Sequence, residues 1–315
     1  MGYFFVACTL ATGLIKGYCG KKSSGLITTY RGSMLFCLVR LTICVLVGSA
    51  LVAVNGCIPY LGALNTPTVI FAMLAGIGQA GMIVTWLISA RLGSLMLLEV
   101  FNLLGIVLTV TLCFVCFGEP VSVWQIVAML LLLVAAYVMV GYSQSVKGKM
   151  TLAAFVCLLI GALMTGLSTF AQKGLKFFNS DATQQTLDQY SLVFNVYTYA
   201  AAALVLIVAY TVTAKSPKKG EAKTDEHSPV KQVFRPRPLI YVTVMATCLF
   251  AYSLFQTLAG TGDRLDAAQI YPLTQGGGML LTMLMAAMLF GERINARCLV
   301  GILLSVVALV LTQIS

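Results

Sequence analysis

The sequence predicts an all-α membrane protein in which ten transmembrane helices form two inverted five-helix repeats. Three features support this prediction: an apolar composition, ten apolar runs of spanning length, and a Phe-Gly-Glu triplet that occurs twice in equivalent surroundings. The 315 residues are 59% hydrophobic and 10% charged, with a mean hydropathy of +0.95. Soluble domains carry about 25% charged residues, so this composition excludes a soluble globular protein.

The apolar runs are long enough to cross a bilayer, whose hydrocarbon core takes about 20 residues of helix. They predict helices 1 to 10 at residues 3–20, 35–54, 69–89, 94–115, 121–142, 151–172, 191–210, 239–259, 267–290 and 295–313. The first run is interpreted as a membrane helix rather than a signal peptide, because its lysines follow the apolar stretch instead of preceding it. The ten cysteines lie mostly inside these runs and, with one histidine in the whole chain, indicate small core residues and no metal site.

The net charge of +10 indicates membrane orientation rather than binding to nucleic acid. If the helices alternate in direction, most lysines and arginines fall in loops on one face, and the positive-inside rule makes that face cytoplasmic. Both termini are therefore predicted on the non-cytoplasmic side of a cell membrane, expected to be the bacterial plasma membrane. The basic residues predicted on the non-cytoplasmic side are Lys173, Lys176 and Arg264. The last two of these lie close in sequence to aspartates.

The Phe-Gly-Glu triplet reveals an internal repeat. Phe117-Gly118-Glu119 matches Phe290-Gly291-Glu292 at an offset of 173 residues (290 − 117), and the same offset pairs Gly105 with Gly278. The chain therefore divides into two predicted five-helix copies, residues 1–145 and 146–315, with a polar, disordered linker at 213–238 between helices 7 and 8. Because each copy has an odd number of helices, the second crosses the membrane inverted. Inverted repeats are typical of secondary transporters, whose halves move around a central site.

Ten helices, the duplication and a Phe-Gly-Glu triplet between the fourth and fifth helix of each half resemble the drug/metabolite transporter superfamily, specifically its EamA-like members. The most specific stretches are LCFVCFGEPVSVWQIVAMLLLLVAAYVMV and MAAMLFGERINARCLVGILLSVVALVLTQI. The resemblance implies transport of small metabolites through a cavity lined by helices 1–4 and 6–9, with helices 5 and 10 peripheral. Those two helices are also a candidate surface for a homodimer. The small multidrug-resistance relatives couple transport through a glutamate in helix 1, where this chain has Lys16 instead.

Three ionisable residues inside the predicted helices mark a candidate site, because a charge at mid-bilayer costs at least ~2.5–3.5 kcal/mol unless it is paired or hydrated. Lys16, Arg40 and Glu99 lie at similar distances from the cytoplasmic ends of their helices, which gives them a shared depth of about 6–8 Å. One acid and two bases leave a surplus positive charge, which suits a carboxylate or phosphate of a substrate. Alternatively, Lys16 and Arg40 extend their charged ends to the nearby interface.

Uncharged polar and aromatic residues complete the candidate substrate-binding set. They recur at helical spacing on faces of helices 3, 4, 8 and 9 or lie in helix 7: Gln79, Trp86, Asn102, Asn195, Tyr252, Tyr271 and Gln275. Gln256 shares the face of Tyr252. In helix 9, Pro272 and the glycines at 276–278 are expected to weaken the hydrogen-bond ladder beside a cavity. The alternative for each polar residue is a hydrogen bond to a neighbouring helix.

These residues indicate a secondary transporter that moves a small metabolite, preferably anionic or zwitterionic, by alternating access. One alternative is an exporter of cationic or aromatic drugs held by Trp86, Tyr252 and Tyr271. An alternative of another class is an intramembrane enzyme or sensor that moves no solute. No catalytic constellation is apparent, since the Gly-Thr-Gly-Asp sequence at 260–263 falls at a helix end and lacks a second aspartate within a span. No enzymatic activity, cofactor or nucleic-acid partner is expected; the expected partners are a small-molecule substrate and the bilayer.

Overall fold

The computed structural model of the chain describes residues 1–24, 26–27, 30–92, 95–147, 152–215, 229–262, 264–290 and 296–313. Side chains are described for most of these residues, and residues 86–103 are the longest exception. Throughout the described ranges, every regular element is a helix of the α, 3-10 or π type.

Ten long helices make up the described structure. The first seven, α1 to α7, span Gly2–Ser24, Tyr30–Val54, Thr66–Leu92, Leu95–Phe117, Val123–Lys147, Leu152–Phe178 and Gln184–Lys215. A 3-10 turn, Ile58–Leu61, joins α2 to α3, and the short α8, Pro229–Val233, precedes α9, Pro236–Gly260. The ninth long helix consists of α10, Ala267–Tyr271, a π turn, Pro272–Gly276, and α11, Gly277–Phe290; α12 is Ala296–Leu311.

Each predicted apolar run corresponds to one of these helices, so the predicted all-α fold with ten helices is confirmed. The ends differ most at α7, which begins at Gln184 rather than at 191 because polar turns precede its apolar part. The segment between α7 and α9 is also shorter than the predicted linker at 213–238. The α7 helix continues to Lys215, and α9 begins at Pro236, since proline is favoured in the first helical turn, where its missing N–H is not needed. Residues 216–228 lie outside the described ranges.

The length and composition of the helices are those of a membrane protein. Within the described ranges, six segments are long and apolar enough to cross a bilayer: Arg31–Val54, Thr66–Thr85, Phe155–Phe178, Gln184–Val212, Pro236–Gly260 and Ala267–Leu289. Large apolar side chains such as Leu46, Ile70 and Leu130 remain exposed on the outer surface of the bundle. The chain is therefore a helical multi-pass membrane protein.

Contacts between helix ends show that the helices alternate in direction. Tyr3, near the start of α1, donates a hydrogen bond to Gln313, which follows α12 (3.1 Å). Asn65, just before α3, donates to the backbone oxygen of Phe178 at the end of α6 (2.8 Å). The chain thus begins and ends on one side of the bundle. We call this side the termini face; it holds the starts of α1, α3, α5, α7 and α10 and the ends of α2, α4, α6, α9 and α12.

The packing of the helices is symmetrical in the way that two copies would require. The α3 helix packs on α6 and α7, while α9 packs on α1 and α2. If α1 corresponds to α6, α2 to α7 and α3 to α9, these contacts are equivalent pairs. The α5 and α12 helices pack on each other at the edge of the bundle. This pattern supports the predicted duplication, which stays a prediction, as does a homodimer through α5 and α12.

Candidate functional site

A cavity of about 110 Å³ lies inside the bundle, between α1, α2, α3, α6, α9 and the ninth long helix. Half of the ten predicted site residues line it: Lys16, Arg40, Gln79, Tyr252 and Gln275. Each of these helices contributes at least one polar or charged side chain to the wall. The cavity therefore brings together residues that are far apart in the sequence.

Two of the other predicted site residues lie behind the cavity wall. Asn195, which is 0% exposed, is hydrogen-bonded to Ser253 and Thr257 of α9. The Tyr271 hydroxyl donates to the backbone oxygen of Thr169 in α6 (2.6 Å). Both are absent from the described lining of the cavity. In this structure they support the wall from behind and are not among its lining residues, so their contact with a substrate stays a prediction.

The remaining three predicted residues, Trp86, Glu99 and Asn102, lie where side chains are outside the described part of the structure. The predicted layer of three ionisable groups is consequently described for Lys16 and Arg40 alone. Its third member stays a prediction.

The two cations of the cavity have different surroundings. The Lys16 ammonium lies 4.1 Å from the ring centroid of Tyr252, a distance typical of a cation–π interaction. Arg40 is 4% exposed, so its charge does not extend to the interface. Its Nη1 contacts the Met245 sulfur at 3.6 Å, and its Nε has no hydrogen-bond partner among the described residues. A buried guanidinium with so few partners has unused capacity to bind an anion.

Three glutamine side chains of the wall also have unused hydrogen-bonding capacity. Gln79 of α3, Gln172 of α6 and Gln275 of the π turn are buried, and each has an Oε1 atom without a partner within the described structure. A buried polar atom without a partner costs about 1–3 kcal/mol. The cavity is therefore suited to a solute that carries polar groups.

The π turn carries two of the lining residues, Thr274 and Gln275. Sequence reasoning predicted a weakened hydrogen-bond ladder at Pro272, and the α-helical pattern does change there, because proline has no N–H to donate. The segment nevertheless stays helical as a single π turn instead of unwinding. Such turns occur often at functional sites.

Two series of hydrogen bonds fix the polar side chains of the cavity wall. In the first, Gln172 Nε2 donates to Ser253 Oγ (3.1 Å), and Ser253 Oγ donates to Asn195 Oδ1 (2.6 Å). In the second, Gln256 Nε2 donates to Thr274 Oγ1 (2.9 Å), which donates to the backbone oxygen of Ile270 (2.9 Å). These chains connect α6, α7, α9 and the ninth long helix around the cavity.

Sequence reasoning missed Gln172 as a lining residue, although a signal was present. Thr165, Ser168 and Gln172 all line the cavity and are spaced i, i+3 and i+7, so they form one polar stripe within an apolar helix. Gln256 was recognised on the face of Tyr252, and it too lines the cavity. Met245, which contacts Arg40, carries no comparable signal.

Ionic contacts join helix ends on the termini face. Lys173 of α6 is 2% exposed and lies 3.1 Å from the Glu119 carboxylate, which follows α4. Lys173 also donates to the backbone oxygen of Leu265 (3.0 Å), and Glu119 accepts from the backbone N–H of Ala267 at the start of α10 (2.8 Å). One buried ion pair therefore holds α4, α6 and α10 together. We call these three residues, Glu119, Lys173 and Ala267, the termini-face lock.

A second ionic contact on this face involves Arg264, which follows α9. Its guanidinium binds both carboxylate oxygens of Asp188 in α7, at 2.9 and 2.8 Å. Lys176 lies 3.8 Å from Asp266 in a more exposed pair. Each of the three basic residues Lys173, Lys176 and Arg264 is thus paired with a carboxylate. The sequence indicated nearby aspartates for Lys176 and Arg264, but Arg264 uses an aspartate of α7 rather than one beside it in the chain.

No group of three or more His, Cys, Asp or Glu side chains in the described ranges is placed to hold a metal ion. The fold and the cavity together define a helical multi-pass membrane protein with an internal polar cavity whose described lining includes two cationic side chains, Lys16 and Arg40.

The sequence matches no protein family and no curated protein. Its fold is similar to that of solved structures. One of them, described as "Crystal structure of protein", superposes with a TM-score of 0.63 over 98% of this chain and 98% of that chain, at 13% sequence identity. At this identity the similarity shows the fold alone.

Proposed function

We propose that the protein is a secondary transporter of a small anionic or zwitterionic metabolite and belongs to the EamA-like drug/metabolite transporters. The observation that carries the proposal is the cavity, which lies inside a membrane bundle and is lined by Lys16, Arg40 and buried amides with unpartnered oxygens. A polar solute that enters this cavity can form hydrogen bonds with these groups, which have no partner among the described residues. The resemblance in the Phe-Gly-Glu triplets and the symmetrical helix packing support the family.

Alternating access is the mechanism that this architecture supports best. If the two repeats are inverted, the protein can adopt two related conformations, in which the central cavity opens to opposite sides of the membrane. The termini-face lock supports a state in which that face is closed. We place both termini outside the cytoplasm, on the one-sided distribution of loop charges. A reporter fused to the C-terminus tests this orientation, and a cytoplasmic signal would contradict it.

The charge of the site supports an anionic group on the substrate. Arg40 has no carboxylate within ion-pair distance among the described residues. If Glu99 pairs with Lys16 or Arg40, the three groups still sum to one positive charge. A substrate carboxylate or phosphate neutralises that charge and can receive hydrogen bonds from the guanidinium.

The proposal is tested by solute flux into liposomes that contain only this protein, compared with its Arg40→Gln variant. A hydrogen bond to a charged group contributes about 1.5–3 kcal/mol, so the variant should bind acidic substrates about tenfold or more weakly. Neutral solutes should be affected far less. Arg237→Gln is the matched control, because Arg237 is exposed at the start of α9.

Two outcomes would favour the alternatives. Unchanged uptake in Arg40→Gln and Lys16→Gln, with loss in Trp86→Ala, would contradict the anion proposal and favour an aromatic or cationic drug. Binding of solutes without any flux would contradict transport and favour a sensor.

A further inference from the structure

The amide of Asn195 has a fixed orientation because of a backbone oxygen. Its Nδ2 donates to the backbone oxygen of Ser191 (2.8 Å) and to Thr257 Oγ1 (3.2 Å). A carbonyl oxygen can only accept, so the atom of Asn195 that faces it must be the nitrogen. The other amide atom, Oδ1, is therefore an acceptor and faces Ser253.

This orientation determines the direction of the next two hydrogen bonds. Ser253 has one hydroxyl proton, and it is donated to Asn195 Oδ1 (2.6 Å). Toward Gln172 the same hydroxyl can only accept, so Gln172 must turn its Nε2 to Ser253 (3.1 Å). Gln172 Oε1 is then the free end of the chain. Gln172 is 5% exposed and lines the cavity, and its Oε1 has no partner in the described structure.

The second chain of hydrogen bonds follows the same logic independently. Thr274 donates its hydroxyl proton to the backbone oxygen of Ile270, so it can only accept from Gln256 Nε2. Two neighbouring glutamines of the wall are thus held by their amide nitrogens. Neither glutamine uses its carbonyl oxygen in these chains, and both side chains line the same cavity as the Arg40 guanidinium.

We propose that Gln172 is a specificity-determining residue that accepts a hydrogen bond from an ammonium or hydroxyl group of the substrate. Ser253 and Asn195 are positioning residues that keep its carbonyl oxygen available. This inference rests on the proposed function and narrows its substrate class to an anion that also carries a hydrogen-bond donor. An anion without the donor offers the Gln172 oxygen no hydrogen bond and binds more weakly.

The test uses purified wild-type protein and binding calorimetry with matched carboxylates that differ in one substituent beside the carboxylate. Three series supply hydrogen, hydroxyl and ammonium in turn: propionate, lactate and alanine; succinate, malate and aspartate; phenylpropionate, phenyllactate and phenylalanine. In at least one series the wild-type protein should bind a donor-bearing member about tenfold or more tightly than the member with hydrogen, as expected for a hydrogen bond in a desolvated site.

The variants separate recognition from general stability. Gln172→Met removes the acceptor, and Ser253→Ala releases the amide so that it can turn either edge to the substrate. Both variants should reduce the preference for a donor to about threefold or less, because they weaken binding of the donor-bearing members more than binding of the hydrogen-bearing member. Ser305→Ala is the matched control. Ser305 is 0% exposed like Ser253, but its hydroxyl donates only within its own helix, to Gly301 (2.9 Å). A purely structural role of Ser253 would weaken all members of a series equally.

The outcomes distinguish the inference from the function on which it rests. A preference for donors that survives in both Gln172→Met and Ser253→Ala would overturn the inference and leave the transporter proposal intact. If wild-type protein binds none of these anions, the anionic substrate class and this inference both fail.

Discussion

Each residue of the first Phe-Gly-Glu triplet has a separate physical role. Gly118 ends α4 with φ of +66°, a conformation that side chains disfavour, and its N–H donates to the backbone oxygen of Phe114 (3.2 Å). The Phe117 ring stacks on Phe170 at 4.9 Å between centroids. Glu119 belongs to the termini-face lock. The triplet thus combines a helix terminus, a packing contact and an ion pair.

Gly118→Ala should destabilise the protein by about 1 kcal/mol, because alanine is strained at positive φ. Gly62 is a matched control: its φ is −95°, and a Cβ atom at either glycine would meet no atom within 4 Å. Gly62→Ala should be neutral or stabilising by up to ~1 kcal/mol, since it restricts the unfolded chain. Thermal unfolding in detergent measures both. Equal melting temperatures for the two variants would show that φ does not decide the effect.

At the scale of residues, the sequence predicts site members where a polar group interrupts an apolar run. Lys16, Arg40 and Gln79 were found in this way and line the cavity. The direction of the Gln172 amide could not be predicted, because it depends on Ser253 and Asn195, which are distant in sequence and meet only after α6, α7 and α9 have packed.

At the scale of helices, glycines allow backbones to touch. A Cβ atom at Gly105 of α4 would lie 2.8 Å from the backbone oxygen of Ala162, and one at Gly166 of α6 would lie 2.8 Å from that of Gly105. Thr109 adds a hydrogen bond to the backbone oxygen of Gly166 (3.2 Å). Small residues and short polar side chains are typical of helix contacts in membranes, where lipid removes the hydrophobic advantage of large ones.

Gly105→Ala should therefore destabilise the bundle by about 1–3 kcal/mol, because the added methyl group meets backbone atoms that cannot move aside. Gly17→Ala in α1 is the control, since the nearest atom to its Cβ would be the flexible end of Met285 at 3.7 Å. That variant should be tolerated or gain up to ~1 kcal/mol from helix propensity. Melting temperatures in detergent provide the comparison. A stable Gly105→Ala protein would contradict the backbone contact between α4 and α6.

The number and approximate extent of the helices follow from sequence because the bilayer fixes the length of an apolar run. Helix ends are less predictable, as at Gln184, where polar residues continue a helix beyond its apolar part. Pro272 predicted an irregularity in the helix at the position of the π turn, 272–276. Its exact form was not predicted from sequence, because this segment also makes contacts with distant residues, such as the hydrogen bond between Thr274 and Gln256 of α9.

At the scale of the whole molecule, the termini-face lock joins helices that the proposed alternating access would move apart. If the protein works by alternating access, α4, α6 and α10 must separate on the termini face, and the Lys173–Glu119 contact of 3.1 Å must break in each cycle. A buried ion pair contributes little net stability compared with an apolar pair, but removal of one partner leaves a buried charge. Replacing one partner of the ion pair should therefore destabilise the protein more than replacing both.

Glu119→Gln should destabilise the protein by at least about 1 kcal/mol, less than the ~3–5 kcal/mol of a fully buried pair, because Glu119 is 14% exposed. The double variant Glu119→Gln/Lys173→Met should recover most of that loss, since no unpaired charge remains. Asp266→Asn breaks the more exposed pair with Lys176 and should cost less than ~1 kcal/mol. Melting temperatures of Glu119→Gln, Lys173→Met and the double variant in detergent give the coupling free energy between Glu119 and Lys173.

Recovery of stability should come with a more easily opened termini face, since the double variant no longer has an ion pair to break. Ser168 lines the cavity, so Ser168→Cys reports its accessibility to a membrane-impermeant maleimide applied to the termini face. Labelling should be several-fold faster in the double variant than with the intact lock, after subtraction of the same proteins without Ser168→Cys. If the double variant is stable and its labelling rate is unchanged, Glu119 and Lys173 stabilise the fold without controlling access to the cavity.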